Sequence, residues 1–268
     1  MESYEQILCV AKEAALLAGA EARRIRERKN LKVEYKGRVD LVTEADFAAD
    51  KIIREKLQSA FPEHYILSEE SSAQADAHDL FSGPVWVVDP IDGTTNYAHG
   101  HVHVGVSIGY MEDGLAQVGV VHAPFLDETY TAIRGQGAEL NGHPIHASTC
   151  DALEKALVST GFPYERDNLG GILFRIERAL VHCQDVRRAG AASIDICWIA
   201  CGKLDAFYEN LSPWDVAAGL LVAKEAGVLR GRFSGKNNPL LPDEIDGSDL
   251  VVTAPGVYES FLELIRQE

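Results

Sequence analysis

The most informative segment of this sequence is Val85-Trp86-Val87-Val88-Asp89-Pro90-Ile91-Asp92-Gly93-Thr94-Thr95-Asn96. Its first four residues form one apolar run without a polar face, which predicts a β-strand that is buried on both sides. Such a strand lies inside a sheet whose two faces are covered by other elements. The chain is therefore expected to adopt a layered α/β arrangement.

Two carboxylates, Asp89 and Asp92, follow this apolar run. They can converge on a hard cation such as Mg²⁺, which prefers oxygen ligands, and the carbonyl of Ile91 can add a third oxygen. Gly93 lets the main chain approach a ligand closely, and the amides of Gly93 and Thr94 can point at a phosphate oxygen. An ordinary Asp-Gly turn explains part of this segment but not all of it.

Three further acidic residues stand at the ends of predicted elements. Glu69 ends the short strand 65–67, and Glu70 follows it. Asp46 and Asp215 each lie three residues after a hydroxyl residue, the spacing of a helix capping box. In isolation, helix capping is a sufficient explanation for Asp46 and Asp215.

Helix capping is no longer a sufficient explanation if Glu69, Asp89, Asp92 and Asp215 share one cleft. Two unit charges roughly 5 Å apart repel by about 3 kcal/mol at an effective dielectric near 20. Such a cluster would take up protons unless cations were bound, and Mg²⁺ ions would neutralise it while still attracting a phosphate dianion. The acidic residues therefore predict a metal-dependent phosphatase site.

Apolar periodicity and turn signals outline the rest of the chain. A long first helix begins after Ser3, and a second helix runs from Thr43 to Phe61. Asp113-Gly114 and Asn141-Gly142 indicate hairpin turns. The further elements that we predict are strands at Val102–Tyr110, Leu115–His122, Glu128–Ile133 and Ala206–Glu209, and helices at Ile172–Leu180 and Ile194–Cys201.

The chain is expected to consist of two halves that form one continuous catalytic unit. Residues 1–150 should hold two helices, a largely antiparallel sheet and most of the candidate metal ligands. Residues 151–268 should form a second α/β half that supplies Asp215 and substrate contacts. No proline-rich linker separates the halves, so we expect an extended interface between them.

Composition narrows the function classes. The chain has 25 basic and 41 acidic residues, a formal charge of −16, which disfavours nucleic-acid binding through a broad basic face. Neither a signal peptide nor a membrane span is apparent. Five scattered cysteines fit buried free thiols in a reducing compartment, so we expect a cytoplasmic protein.

Other chemistries fit less well. Two residues separate Asp89 from Asp92, whereas an aspartyl nucleophile of the haloacid-dehalogenase type needs an Asp-x-Asp-x-Thr arrangement. The P-loop and dinucleotide-binding glycine motifs are absent. His101 and His103 could share one strand face, but no further residue is spaced to complete a zinc site. Arg187-Arg188 could draw an anion to the cleft, although surface ion pairs explain it better.

Four motifs in order resemble the inositol monophosphatase family, and the resemblance extends over nearly all of the chain. They are Lys36–Asp46, Ser68–Ser71, Trp86–Tyr97 and Trp214–Gly219. The resemblance implies an α/β (α+β) fold, a layered αβαβα sandwich of the inositol monophosphatase and fructose-1,6-bisphosphatase type. It also implies a homodimer that hydrolyses a small-molecule phosphate monoester with two or three Mg²⁺ ions per site. Mn²⁺ is a possible substitute, and Li⁺ is expected to inhibit.

The resemblance also assigns roles to individual residues. The implied metal ligands are Glu69, Asp89, the Ile91 carbonyl, Asp92 and Asp215; the implied catalytic residues are Glu69, Thr94 and Asp46; and the implied substrate contacts are Asp92, Gly93, Thr94, Gly190, Ala191, Ala192 and Glu209. The family commonly has Ser or Thr at the position of Ala191. A hydroxyl contact is therefore missing, which leaves the preferred alcohol open.

Two alternatives to an inositol-phosphate phosphatase remain. A phosphatase of the same fold could act on fructose 1,6-bisphosphate, a nucleotide 3′-phosphate or histidinol phosphate, although the second half shows no compelling basic cluster for a second phosphate. A binding module could instead serve as a protein partner in transcription complexes, where the acidic residues would contribute only to stability.

Overall fold

The computed structural model describes residues 2–28, 32–35, 41–70, 80–163 and 169–266, with only the backbone of Tyr35 and Leu41. Residues 36–40 of the first motif and Ser71 of the second lie outside the described residues. Within these ranges the α-helices are α1 Tyr4–Arg26, α2 Glu44–Ala60, α3 Thr94–Ala98, α4 Gly170–His182, α5 Ala192–Ala200, α6 Pro213–Glu225 and α7 Tyr258–Ile265. Short 3₁₀ turns occur at Leu153–Lys155, Asp243–Ile245 and Pro255–Val257.

The strands form two main sheets and a small hairpin. The hairpin pairs β1 Val33–Tyr35 with β2 Leu41–Thr43. In the larger sheet the strands lie side by side in the order in which they occur in the sequence. They are β3 Tyr65–Ser68, β4 Val85–Asp92, β5 Gly105–Glu112, β6 Leu115–Ala123, β7 Glu128–Ile133, β8 Ala138–Leu140 and β9 His143–Pro144. Its β3–β4 pair is parallel and the remaining pairs are antiparallel. The sheet of the first half is therefore largely antiparallel, as predicted.

The smaller sheet belongs to the second half of the chain. Its strands are β10 Leu157–Thr160, β11 Asp185–Arg187, β12 Ala206–Leu211, β13 Leu229–Arg232 and β14 Gly247–Thr253. Their spatial order is β11-β10-β12-β14-β13, with β10 parallel to both of its neighbours. The parallel strands β10 and β12 therefore end at the same edge of the sheet.

Three hydrophobic clusters hold the layers together. Helices α1 and α2 pack on one face of the larger sheet. Helices α5 and α6 lie between the two sheets, and α4 and α7 cover the outer face of the smaller sheet. Every residue of β4 is buried, as the apolar run predicts. The result is the expected αβαβα sandwich, since each sheet face must be covered to exclude water.

Local signals located most elements correctly. The Ser3 hydroxyl accepts a hydrogen bond from the Gln6 amide at the start of α1. Asp113, with a φ of 51°, joins β5 to β6, and Asn141, with a φ of 52°, joins β8 to β9. Both residues precede glycines with positive φ, as hairpin turns of this type require.

Some boundaries differ from the prediction. Strand β5 begins at Gly105 rather than Val102, because Val102 is exposed and the chain reaches the sheet only after His103. Strand β4 does not stop before Asp89 but continues to Asp92 through a register shift. Helices α3 and α7 were not predicted. Cys9 is exposed and Cys150 and Cys201 are half-buried, so the expectation of buried thiols holds only for Cys183 and Cys197.

Candidate active site

Three carboxylates from two distant parts of the chain meet at one edge of the larger sheet. Oxygens of Asp89 and Asp92, on β4, and of Asp215, on α6, lie within 4.8 Å of one another. Among the described residues this is the group whose spacing suits a metal ion. Asp89 and Asp92 are almost fully buried, and Asp215 is partly accessible.

The irregularity in β4 orients two of the candidate ligands. The pairing of β4 with β5 shifts between Asp89 and Asp92, so the intervening residues are free of the regular ladder. Asp89 Oδ1 accepts a hydrogen bond of 3.0 Å from the amide of Ile91, and the Ile91 carbonyl lies 3.1 Å from the Thr94 hydroxyl. The Ile91 carbonyl is therefore turned toward Thr94.

Asp92 caps the N-terminus of α5 from another element. Its carboxylate accepts hydrogen bonds from the Ala192 amide at 3.2 Å, the Ser193 amide at 2.7 Å and the Ser193 hydroxyl at 2.5 Å. Ala191, the residue before α5, has no side chain that could cap the helix. The carboxylate of Asp92 takes this role, since exposed helix amides favour an anionic acceptor.

Thr94 and Asp46 form a second unit beside the carboxylates. Asp46 Oδ2 accepts from the Thr43 amide at 2.8 Å and from the Thr43 hydroxyl at 2.6 Å, which completes the predicted capping box of α2. Asp46 Oδ1 lies 3.1 Å from the Thr94 hydroxyl. Burial raises the pKa of Asp46 to about 6, although hydrogen bonds from Thr43 and Thr94 oppose this effect.

Asp215 and Glu69 lie at the same site but are positioned by different elements. The predicted capping box at Ser212 is present, because the Ser212 amide donates to Asp215 Oδ2 at 2.8 Å and Pro213 occupies the first turn. Glu69 directly follows β3, and its amide donates to the Val88 carbonyl of the parallel neighbour β4. Its negative charge raises the pKa of both Asp89 and Asp215, which places it at the cluster but outside the 4.8 Å group.

The acidic side chains of this site, except Asp46, line one cavity of about 630 Å³. Gly93, with a φ of 88°, and Gly190, with a φ of 93°, form part of its wall together with Ala191 and Ala192. A Cβ on Gly93 would lie 3.0 Å from the Gly190 carbonyl and 3.2 Å from the Ala191 Cβ. The wall beside the carboxylates is therefore closely packed backbone, and Ala191 contributes a methyl group and no hydroxyl.

Glu209 also lines the cavity and packs directly on a glycine. A Cβ on Gly161 would overlap the Glu209 carboxylate, so Gly161 leaves the space that this side chain fills. Burial raises the pKa of Glu209 well above its ordinary value, and the charge of Asp215 acts in the same direction. Arg188 also lines this cavity and opposes that shift.

The residues present fit a hard divalent cation. Burial is the largest cause of the raised pKa values of Asp89, Asp92 and Asp215, and mutual repulsion adds to it for Asp89 and Asp215. Carboxylate and carbonyl oxygens are the ligands that Mg²⁺ prefers, and cations at this point would offset the repulsion. The arrangement can therefore hold cations next to a water-accessible cavity.

Several residues of this site were not identified from the sequence. Ser193 makes two of the hydrogen bonds to Asp92, and Gly161 accommodates Glu209, but neither residue carries a local signal. Arg187 pairs with Asp185 as expected, whereas Arg188 faces the cavity.

The histidines His101 and His103, considered above as a possible metal-binding pair, do not lie together at a metal site. His103 is buried, and its Nε2 lies 2.9 Å from Asp195 Oδ1, while the other Asp195 oxygen accepts from the Ser159 hydroxyl at 2.7 Å. His101 is exposed. His103 thus belongs to a buried hydrogen-bond network behind the cavity.

Comparison with known proteins agrees with the fold and the motifs. A sequence profile described as "Inositol monophosphatase family" matches residues 3–267. Inositol monophosphatase 1 of Solanum lycopersicum is 40% identical over 269 residues, covering 98% of this chain and 96% of the relative. Nus factor SuhB of Salmonella typhimurium is 35% identical over 265 residues, covering 98% and 96%.

Solved structures give the same result. Extragenic suppressor protein suhB from Bartonella henselae superposes with a TM-score of 0.87 at 32% identity, covering 97% of this chain and 98% of that one. Inositol monophosphatase from Anabaena superposes with a TM-score of 0.81 at 33% identity, covering 98% and 96%. The chain belongs to the inositol monophosphatase family.

Proposed function

We propose that this protein is a Mg²⁺-dependent phosphatase that hydrolyses inositol monophosphates or a similar polyol phosphate. The observation that carries the proposal is the meeting of Asp89, Asp92 and Asp215 within 4.8 Å at the edge of a water-accessible cavity. Glu69 and the Ile91 carbonyl would complete the ligand set. When bound, divalent cations supply positive charge that lowers the pKa of water and stabilises negative charge on the phosphoryl and leaving-group oxygens.

The chain's own residues would then position the reactants. The Thr94 hydroxyl lies 3.1 Å from both Asp46 Oδ1 and the Ile91 carbonyl. With that carbonyl bound to a cation, the hydroxyl would donate its proton to Asp46 Oδ1, and its lone pairs would face the water molecule that attacks phosphorus. The carboxylate of Glu69 accepts a proton from that water. The amides of Gly93 and Thr94 donate to phosphate oxygens, and the water attacks in line with the departing alkoxide, so no phospho-enzyme forms.

The substrate's alcohol would lie between the Gly190–Ala192 wall and Glu209. Glu209 would accept hydrogen bonds from hydroxyl groups of a polyol, while Ala191 offers only van der Waals contact. The named inositol monophosphatases of Solanum lycopersicum, at 40% and 44% identity, support this substrate class.

A second candidate function is favoured by the relatives named Nus factor SuhB, at 35% and 36% identity. In that case the chain would act as a protein-binding module in transcription complexes. The plant relatives are more similar in sequence, and the acidic residues line one water-accessible cavity, so we favour the enzyme.

We further propose that the two halves, residues 1–150 and 151–268, work as one catalytic unit. Support comes from Asp215, which joins Asp89 and Asp92 across the halves, and from a hydrophobic cluster shared by both sheets.

A homodimer is the expected assembly, and the exposed Leu173, Leu180 and Val181 of α4 support an apolar contact surface. Inhibition by Li⁺, use of Mn²⁺, cytoplasmic location and the lack of nucleic-acid binding stay predictions. No helix in the described part of the chain combines the length and the apolar character that a membrane crossing needs.

Phosphate release from inositol 1-phosphate, fructose 1,6-bisphosphate, adenosine 3′,5′-bisphosphate and histidinol phosphate tests the proposal. We expect turnover of inositol 1-phosphate that depends on Mg²⁺, disappears with a chelator and decreases when Li⁺ is added. Absence of Mg²⁺-dependent release from every ester would favour the protein-binding module.

A further inference from the structure

A second cavity, of about 770 Å³, lies beyond Glu209 on the α4 side of the smaller sheet. It shares a wall with the candidate active site, formed by Thr160, Gly161 and Pro163 at the end of β10 and by Glu209 and Asn210 on β12. Successive residues of β12 point to opposite faces, so Tyr208 lines the second cavity only, while Glu209 lies on the shared wall. None of the carboxylates proposed to bind metal lines it.

Three cationic side chains from distant segments line this second cavity: Arg175 on α4, Lys236 after β13 and Arg266 after α7. Among the described lining residues the negative side chains are Asp249 and Glu209, and the Asp249 carboxylate accepts a hydrogen bond from the Ser234 hydroxyl. In the described lining the three cations outnumber the two carboxylates, although the chain has a net charge of −16. Such a concave, cationic lining attracts anions, since field lines concentrate in a cleft.

Arg175 is held in place before any ligand binds. Its guanidinium lies over the Phe233 ring at 3.8 Å from the centroid, and its Nη1 donates to the Gly171 carbonyl at 3.0 Å. Its Nε is buried and has no hydrogen-bond partner among the described residues. An ordered guanidinium with unused donors loses little conformational freedom when it binds a carboxylate or a phosphate.

A second polar group in this cavity also lacks a partner. Tyr208 is 4% exposed, and its hydroxyl has no hydrogen-bond partner within the described part of the chain. The N-terminus of α4, at Gly170 and Gly171, lines the same cavity without a side-chain cap. Buried polar groups are normally satisfied, so unpartnered donors beside a polar cavity indicate a ligand.

We propose that this second cavity is a binding site for a phosphorylated small molecule, held by Arg175, Lys236 and Arg266. The proposal does not depend on the phosphatase activity, because none of the candidate metal ligands takes part. The anionic group has two possible sources. It is either the far end of a substrate that reaches across Glu209 or a separate metabolite bound beside the active site.

Calorimetric titration with fructose 1,6-bisphosphate in EDTA tests the site directly. Without divalent cations, the site of Asp89, Asp92 and Asp215 offers no positive charge to a phosphate, so binding in EDTA reports on the cationic cavity. We expect saturable binding to the wild type at 0.15 M salt, weakened at least about tenfold in Arg175→Gln and in Lys236→Gln, as expected for loss of a charge-assisted contact.

Arg178→Gln is the matched control, because Arg178 lies on the same helix but contacts the Leu264 carbonyl and not the cavity. It removes the same charge from α4 and should leave the affinity unchanged. Lys236 is exposed, so its substitution tests the site even if Arg175→Gln lowers stability. No saturable binding in EDTA, or an equal loss in Arg178→Gln, would overturn the proposal.

Measuring kcat/KM with Mg²⁺ distinguishes the two possible sources of the bound anionic group. If the far end of a substrate occupies the cavity, Arg175→Gln lowers kcat/KM for fructose 1,6-bisphosphate at least about tenfold more than for inositol 1-phosphate. If a separate metabolite binds, the ratio of the two values stays constant while binding in EDTA is lost. Failure of the phosphatase proposal would appear separately, as absence of turnover with intact binding in EDTA.

Discussion

Asp92 illustrates how one side chain can serve both the fold and the proposed chemistry. It lies beside Asp89 and Asp215, and it also accepts three hydrogen bonds at the start of α5. The amides of α5 favour the charged form of Asp92, whereas burial raises its pKa. The hydrogen bonds to Asp92 thus offset part of the cost of burying a carboxylate at this position.

Asp92→Asn should lower turnover by at least about 100-fold, which corresponds to roughly 2.7 kcal/mol of barrier. The substitution removes one negative charge from the cluster, but its amide oxygen can still accept from Ser193, so the fold should persist. Phosphate release measures the effect, and circular dichroism verifies folding. Asp151→Asn removes a similar charge from an exposed position and should change nothing. Near-normal turnover of Asp92→Asn would contradict the assigned metal role.

Gly161 is important because Glu209 occupies the space beside its Cα. In Gly161→Ala the new methyl group would displace the Glu209 carboxylate, so KM for inositol 1-phosphate should rise several-fold while kcat changes little. Gly83→Ala is the control, since no atom lies within 4 Å of the position that a methyl group would take at Gly83. An unchanged KM in Gly161→Ala would argue against a role for Glu209 in binding the alcohol.

Two helices carry acidic residues of the site within their first turns. Asp46 and Asp215 occupy equivalent positions in the capping boxes of α2 and α6. Backbone amides thus fix each carboxylate through a local interaction, while the sheets bring the two helix starts toward β4. Helix capping and the proposed catalytic role are therefore compatible explanations of the same residues, not alternatives.

Thr43→Ala should lower the free energy of unfolding by about 1 kcal/mol. The Thr43 hydroxyl accepts from the Ala45 amide at 3.1 Å and donates to Asp46, and both contacts are lost. Urea unfolding measures the change. Thr43→Ser keeps the hydroxyl and should lie much closer to the wild type, so equal stabilities of the alanine and serine variants would refute the cap.

Several buried acidic groups of the molecule hold their protons to a higher pH than free carboxyl groups do. Burial raises the pKa values of Asp46, Asp89, Asp215 and Glu209. A group of this kind stabilises the folded state below its unfolded pKa, near 4, and this contribution is lost as pH rises through the folded value. For Asp46 that loss begins near its ordinary pKa of 3.8 and is complete above about pH 6.

The increase in Tm on adding Mg²⁺ should therefore be larger at pH 7 than at pH 5, because protons compete with cations for these carboxylates. Thermal unfolding in EDTA and in Mg²⁺ at the two pH values measures it. The lowered pKa of buried His122 favours stability at higher pH, but it affects both conditions equally and cancels in the difference. An equal or smaller increase at pH 7 would count against cation binding by the cluster.

Much of this architecture follows from local order along the chain. The apolar run 85–88 predicts a strand buried on both faces, and the spacing of Thr43 to Asp46 and of Ser212 to Asp215 predicts two helix starts. These features depend on neighbouring residues and on the preference of apolar side chains for the interior. Local signals also singled out Glu69, Asp89, Asp92 and Asp215, but only the family resemblance implied that they bind metal together.

The tertiary structure alone decided which distant groups meet. Ser193 bonds to Asp92 across 101 positions, and Glu209 fills the space above Gly161. No basic cluster is apparent in the sequence of the second half, yet Arg175, Lys236 and Arg266 line one cavity. Contacts of this kind depend on how the two sheets and their helices pack, and residue order does not encode them locally. Sequence therefore determined the acidic chemistry and the layers, whereas packing determined the shape and charge of the space around them.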